Sequence, residues 1–180
     1  MLVGRARGFD PRAIGSGNVG MTNVGRAGGR LAAALTFAGD LLKGLIPILG
    51  AKAAGLTPAM LALVGFAAVA GSIASVFMGF RGGRGVSTSF GVWLGLAPVA
   101  VMIALAVFLA LVAISRIVSL GSIAAAIALV PAVAATGSPR PYVAVAIVIS
   151  ALVLTRHREN IRRLLAGEEP KLGAGGKRPE

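Results

Sequence analysis

Cysteine is absent from this chain of 180 residues, the acids number 6, and there is one histidine, one tryptophan and one tyrosine. No cysteine means no disulfide framework, no thiolate nucleophile and no cysteine-based metal site. Six acids and one histidine also argue against a multi-ligand metal centre, so no metal and no cofactor are expected. Charge is scarce: 13% of residues are charged, where soluble domains carry roughly a quarter. In its place, 56% of residues are hydrophobic and the mean hydropathy is +0.86. That balance excludes a soluble domain and reads as an integral membrane protein. The first fifteen residues lack the apolar stretch of a cleavable signal peptide.

The charge that exists is lopsided, with a net +12 at pH 7. Nucleic acid is not the expected partner, because the basic residues are not interleaved with exposed aromatics. They flank apolar segments, which points to anionic lipid headgroups and to the positive-inside rule.

The stretch Gly15–Arg30, GSGNVGMTNVGRAGGR, is the least apolar part of the first third of the chain. Its glycines let backbone N–H groups approach a ligand closely. Ser16, Asn18, Thr22 and Asn23 supply neutral hydrogen-bond partners, and Arg26 and Arg30 supply guanidinium forks suited to phosphate. Two readings are open: an anion-binding loop at a membrane surface, or a flexible basic loop that only fixes topology. Met1–Ile14 ahead of it, with Arg5, Arg7, Arg12, Gly8 and Pro11, is expected to lie on the surface.

Apolar runs near the roughly 20 residues a bilayer requires then set the layout. Spans are expected over Leu31–Gly50, Ala59–Gly79, a short helix to about Ala97, Pro98 to Ile114, Leu120–Thr136 and Tyr142–Thr155. The first carries Asp40 and Lys43 on one face at i,i+3, either as a functional bundle-facing pair or as a self-neutralising pair near an interface. A second Gly/Arg/hydroxyl loop, Phe80–Ser89, joins the second and third helices. Residues 173–180 are expected to be disordered, leaving 1–172 as one membrane domain.

Alternation tests this layout. With both termini cytoplasmic, only Lys52 and Arg140 of the 18 basic residues fall in outward turns, and Lys43 lies within a span. The bias is strong. The same alternation puts Gly15–Arg30, Phe80–Ser89, Ser119–Ser122 and Arg156–Glu169 on one, cytoplasmic, side, as a single site requires. In the last cluster His157 and Asn160 share a helical face. Taken alone, His157 reads as a surface residue; its companions favour a site.

These residues resemble a known family. GSGNVGMTNVGR matches the GSGNxGxTNxxR motif of the bacterial acyl-phosphate:glycerol-3-phosphate acyltransferases (PlsY). FRGGRGVSTSFG looks like that family's FKGGKGVAT segment, and Asp40-Leu41-Leu42-Lys43-Gly44 matches its DxxKG. His157–Leu164 followed by Gly167-Glu168-Glu169 looks like its HRxNIxRLxxGxE. The resemblance implies an all-α polytopic bundle of about six transmembrane helices in the inner membrane, with the active site facing the cytoplasm. It also implies transfer of a fatty acyl group from acyl phosphate to the 1-hydroxyl of glycerol 3-phosphate, giving lysophosphatidic acid without metal or CoA. On this basis Ser16, Arg26, His157 and Asn160 are the expected catalytic residues. Asn18, Thr22, Asn23, Lys43, Gly82, Gly83, Arg84, Gly85 and Ser122 are expected to hold substrate phosphate, and Asp40 and Glu169 to act structurally.

Three departures from the family pattern stand out. The family normally has a helix ahead of the first motif, where this chain has only basic Leu2–Arg7; either the sequence starts at a downstream Met of a longer gene, or it is a six-helix variant. Ser72 stands where a histidine is usual, leaving His157 as the sole imidazole. Arg81 and Arg84 replace lysines, and a bidentate fork is not a point charge. An acyl phosphate is already activated, so direct transfer with His157 or the substrate phosphate as proton acceptor is favoured over an acyl-serine route through Ser16. The competing readings are an organic-anion transporter, which should show inverted repeats, and a catalytically degenerate paralogue.

Overall fold

A chain this apolar has one solution to backbone hydrogen bonding in hydrocarbon, apart from a closed barrel, and that is the helix. The computed structural model describes residues 2–172, and every regular element among them is helical. The order is α1 (Leu2–Ala6), α2 (Met21–Ala53), α3 (Pro58–Ile73), α4 (Val86–Leu96), α5 (Pro98–Ser115), α6 (Val118–Ala135), α7 (Arg140–Arg156) and α8 (Arg158–Leu165). Short 3-10 turns sit at Pro11–Ala13 and Val76–Met78. Pro58, Pro98 and Pro141 fall in first turns, where a missing N–H costs nothing. The tail expected to be disordered, 173–180, lies outside the described residues.

Four helical stretches are long and apolar enough to cross a membrane, Met21–Ala53, Pro58–Met78, Pro98–Ser115 and Val118–Ala135. A fifth follows if α7 and α8, bent by 60° at His157, count as one span. All six expected helices are present, but the third does not span on its own. α4 has 11 residues and so reaches about 16 Å, roughly half of a bilayer core. It is confined between Gly85, its N-cap, and Pro98, which begins α5.

The largest departure from the expected layout lies in α2. Gly29 has φ 80° and ψ −177°, which breaks the helix. A Cβ on Gly25 would lie 2.9 Å from the Cβ of Ala33, so the turns before the break fold back along those after it. Gly15–Arg30 is therefore not one loop. Only the part up to Gly20 is irregular, and Thr22, Asn23 and Arg26 are helical. Gly28 serves this packing: a Cβ there would strike the Phe9 ring, and its carbonyl accepts from Arg7 Nη1 at 3.1 Å. The N-terminal segment expected to lie on the surface is pinned in this way, with Pro11 buried and Arg5, Arg7 and Arg12 exposed.

α4 is held against α2 by glycines on both helices. A Cβ on Gly44 would run into the Thr88 carbonyl, one on Gly91 into the Leu41 carbonyl, and one on Gly95 into the Ile48 side chain at 2.6 Å. Small residues give membrane helices this closeness where lipid supplies no hydrophobic drive. Ile48, Val69, Val92, Trp93, Val133 and Ile149 fill the core around that seam. The Gly44→Ala variant should lower the thermal unfolding midpoint, in line with an overpacking cost of about 1–3 kcal/mol. Gly50→Ala in the same helix, where a Cβ meets nothing within 4 Å, should not; circular-dichroism melts of the purified proteins compare the two.

Candidate functional site

The first motif is organised by Asn23. Its buried carboxamide accepts from Ser16 N–H at 3.0 Å and donates to the carbonyls of Pro11, Ile14 and Asn18 at 2.8, 2.9 and 2.8 Å. Both polar atoms of Asn23, expected to contact substrate, are committed to the loop, where the side chain positions Ser16. Gly15 has φ +57°, and a Cβ there would crowd Asn23 Oδ1, which accounts for the glycine. Asn18 Oδ1 accepts from Gly20 N–H at 3.0 Å. Asp10, held down to about 2 by its hydrogen bonds to Arg12, fixes the turn that leads in.

The second loop meets the first at Gly83, where a Cβ would sit 3.8 Å from Asn18 Oδ1. Gly82 donates to the Ile73 carbonyl at 3.0 Å, and its own carbonyl accepts from Arg156 Nη2 at 3.2 Å. A Cβ on Gly82 would collide with the Ser72 carbonyl. Gly82, expected to contact phosphate, thus packs on the end of α3 with its N–H and carbonyl both paired. Gly85, at φ +80°, caps α4 with no side-chain partner, and Gly20 caps α2 the same way. Two helix N-termini with free N–H groups therefore open toward the joined loops, a favourable field for an anion. Ser72, where a histidine is usual, accepts from Thr88 Oγ1 at 2.9 Å and links α3 to α4.

The C-terminal cluster closes the same end. Glu169 accepts from Ser119 Oγ at 2.6 Å, from Asn160 Nδ2 at 2.5 Å and from Arg163 Nε at 2.7 Å. Burial would raise its carboxyl, but the Ser119, Asn160 and Arg163 hydrogen bonds outweigh that and hold it below the ordinary range. His157 is buried, and its Nδ1 lies 2.7 Å from the Val153 carbonyl. A carbonyl only accepts, so the neutral ring carries its proton on Nδ1 and leaves Nε2 as a base. Burial pushes this imidazole below its usual value, Arg84 pushes it further, and the Val153 bond and Glu169 oppose them.

A groove of about 1730 Å³ connects these parts, larger than the roughly 300–1,000 Å³ of ordinary ligand pockets. One end is lined by Ser16, Asn18, Thr22, Asn23, Arg26, Gly83, Arg84, Gly85, His157, Asn160, Arg163 and Glu169. Its remainder is walled by apolar side chains of α3 to α7, among them Leu105, Phe108, Leu129 and Ile149. Arg84 is half-buried here, and desolvation together with Arg163, Arg156 and Arg26 lowers its pKa against the pull of Glu169. Among the described residues no carboxylate pairs with Arg84 or Arg26. Lys43 also lines the groove but forms an ion pair with Asp40 at 2.8 Å, the self-neutralising alternative. Ser122 lines it too, although its hydroxyl donates back to the Val118 carbonyl at 3.0 Å. Arg156 holds the second loop through the Gly82 carbonyl; nothing in its spacing marks that role.

A family model for glycerol-3-phosphate acyltransferase matches residues 1–167. The chain is 53% identical over 174 residues to the glycerol-3-phosphate acyltransferase of Geobacter metallireducens, covering 97% of this chain and 90% of that one. It is 47% identical to that of Rubrobacter xylanophilus, with 96% and 87% covered. The chain belongs to this family. A crystal structure of PlsY, an integral membrane glycerol 3-phosphate acyltransferase in its glycerol 3-phosphate form, superimposes with TM-score 0.91 at 41% identity, covering 96% of this chain and 86% of that one. The lysophosphatidic acid form superimposes at 0.88. This membrane acyltransferase thus has its polar loops and its apolar groove in one continuous site, and the transporter reading finds no support.

The Glu169→Gln variant should loosen the junction of α6 and α8. Because the native carboxyl is held low, its contribution to stability is present above the ordinary value of about 4.3 and is lost as pH falls through the lower native value. Melting midpoints of wild type should therefore drop on acidification over that window, and the variant's should be lower at neutral pH and less pH-dependent. Asn23→Ala should destabilise by about 1–3 kcal/mol through the Pro11 and Asn18 carbonyls and the Ser16 N–H that it leaves unpaired, and should abolish turnover, readable as a lowered melt together with lost product.

Proposed function

We propose that this acyltransferase moves a fatty acyl group from acyl phosphate to the 1-hydroxyl of glycerol 3-phosphate on the cytoplasmic side of a bacterial inner membrane. The observation that carries the reading is a half-buried guanidinium, Arg84, with no carboxylate partner among the described residues, at the cationic end of an otherwise apolar groove. A molecule with a phosphate head and an alkyl tail matches both ends, and so do donor and product. The glycerol 3-phosphate and lysophosphatidic acid forms of the solved relative support the same substrate and product here.

The roles follow from chemistry. Arg84, Arg26 and the free N–H groups of the first helical turns after Gly20 and Gly85 hold the two phosphates and offset the charge that grows on the leaving group. Ser16 and Asn18 orient the acceptor, with Asn160 and Thr22 nearby. The 1-hydroxyl oxygen attacks the acyl carbon, the bond from that carbon to the phosphate oxygen breaks, and inorganic phosphate leaves. The hydroxyl proton passes to His157 Nε2, or to the departing phosphate. Direct transfer is favoured over an acyl-serine, because among the described residues Ser16 has no hydrogen bond to His157 and His157 Nδ1 rests on a carbonyl, not a carboxylate.

Purified protein given acyl phosphate and radiolabelled glycerol 3-phosphate should yield lysophosphatidic acid; a folded preparation that yields none overturns the reading. Arg84→Lys should retain partial activity and Arg84→Met should cost about 10²–10³ in kcat/KM, as for loss of one transition-state donor. The acid limb of the pH–rate profile should fall below the ordinary histidine value of about 6.5, since His157 is lowered. A limb at or above that value would remove His157 from the role of proton acceptor.

A further inference from the structure

We propose that Trp93, with Ser89 one turn above it, is the floor of the apolar groove and sets the length of acyl chain it accepts. Both side chains line the groove from α4. They lie on one face at i,i+4, in line with Gly85 at the cationic end. Trp93 is therefore about 12 Å below the phosphate-binding end. Its indole is fully buried, yet neither its Nε1 nor Ser89 Oγ has a hydrogen-bond partner among the described residues. An apolar wall made of phenylalanine would carry no such unpaired group, so bulk alone does not account for the tryptophan.

The ring also has nowhere to retreat. Gly44 and Gly91 bring α4 to backbone contact with α2, and Gly95 packs on the Ile48 side chain, which fixes the helix that carries it. Because Trp93 and Ser89 Oγ are buried, a chain long enough to pass this level has to wedge into a rigid, packed ring and against two polar atoms that it cannot satisfy. A chain that stops above meets mainly apolar walls, such as Leu105, Phe108 and Leu129. Size and polarity thus oppose longer chains at the same depth. The inference takes the acyl identity of the chain from the proposed function; the position of the floor does not depend on turnover.

Trp93 is the sole tryptophan of the sequence, so its fluorescence reports on this depth alone. Lysophosphatidic acids bearing a nitroxide at successive carbons are titrated into the purified full chain, with unlabelled lysophosphatidic acid as competitor. Competable quenching should be weak for a label near the carbonyl and strongest for one in mid-chain; quenching that does not vary with label position overturns the proposal. In the transfer assay, the ratio of kcat/KM for long over short acyl phosphates should rise roughly tenfold in Trp93→Ala, the scale of a methylene misfit in an apolar pocket. Ser89→Ala should move that ratio in the same direction and serves if Trp93→Ala does not fold. Parallel length profiles in wild type and variants also overturn it. Position-dependent quenching without any acyl transfer leaves the floor in place and removes the acyltransferase reading.

Discussion

Irregular backbone at the end of an apolar bundle persists only where its carbonyls and N–H groups are paired, because the bilayer side offers no water to pair them. Three side chains meet that constraint. Asn23 takes three carbonyls and one N–H of the first loop. Arg156 holds the second loop by the Gly82 carbonyl. Glu169 joins Ser119 of α6 to Asn160 and Arg163 of α8. Each staple crosses between segments far apart in sequence or folds one back on itself, and together they place three glycine- or charge-rich segments around one mouth.

The staples also divide the arginines into two groups. Arg163 has a carboxylate and Arg156 a carbonyl, so both are occupied within the protein. Arg84 and Arg26 have no carboxylate among the described residues and remain directed to the groove lining. One buried carboxylate, Glu169, is too little to neutralise four guanidiniums, and its hydrogen bonds are already filled. Under the proposed function the substrate's phosphate is the charge that balances this arrangement, and the two uncapped helix N-termini add to the same field. Binding energy for an anion is thereby stored in the folded state before substrate arrives.

Much of this was legible in the residues, for reasons that can be named. Apolar run lengths and Pro98 set the helices, and α4 and α5 divide where expected. The positive-inside asymmetry, with the alternation it imposes, put the polar clusters at one end before any contact was known. What could not be read was how glycine was used. Gly25, Gly28 and Gly29 serve a helical fold-back, Gly82 a close approach to α3, and Gly44 and Gly91 a helix seam. Composition treats these as equivalent, because the distinction depends on which backbone arrives opposite each one. The role of Asn23 was hidden for a similar reason: an amide facing a ligand and an amide facing its own loop have the same sequence signature.

The replacement of the usual histidine by Ser72 is best understood through the remaining imidazole. Ser72 uses its hydroxyl to accept from Thr88, tying α3 to the first turn of α4 beneath the cationic end. That is a structural link, and it needs no proton chemistry. The proposed transfer from an acyl phosphate, a mixed anhydride, requires one proton to leave the attacking hydroxyl, and phosphate is itself a competent acceptor. His157, with Nδ1 held by the Val153 carbonyl and its basicity reduced by burial, is neutral at physiological pH and presents a single lone pair. One oriented imidazole therefore suffices for the chemistry. The second position is free to vary as long as α3 and α4 stay joined.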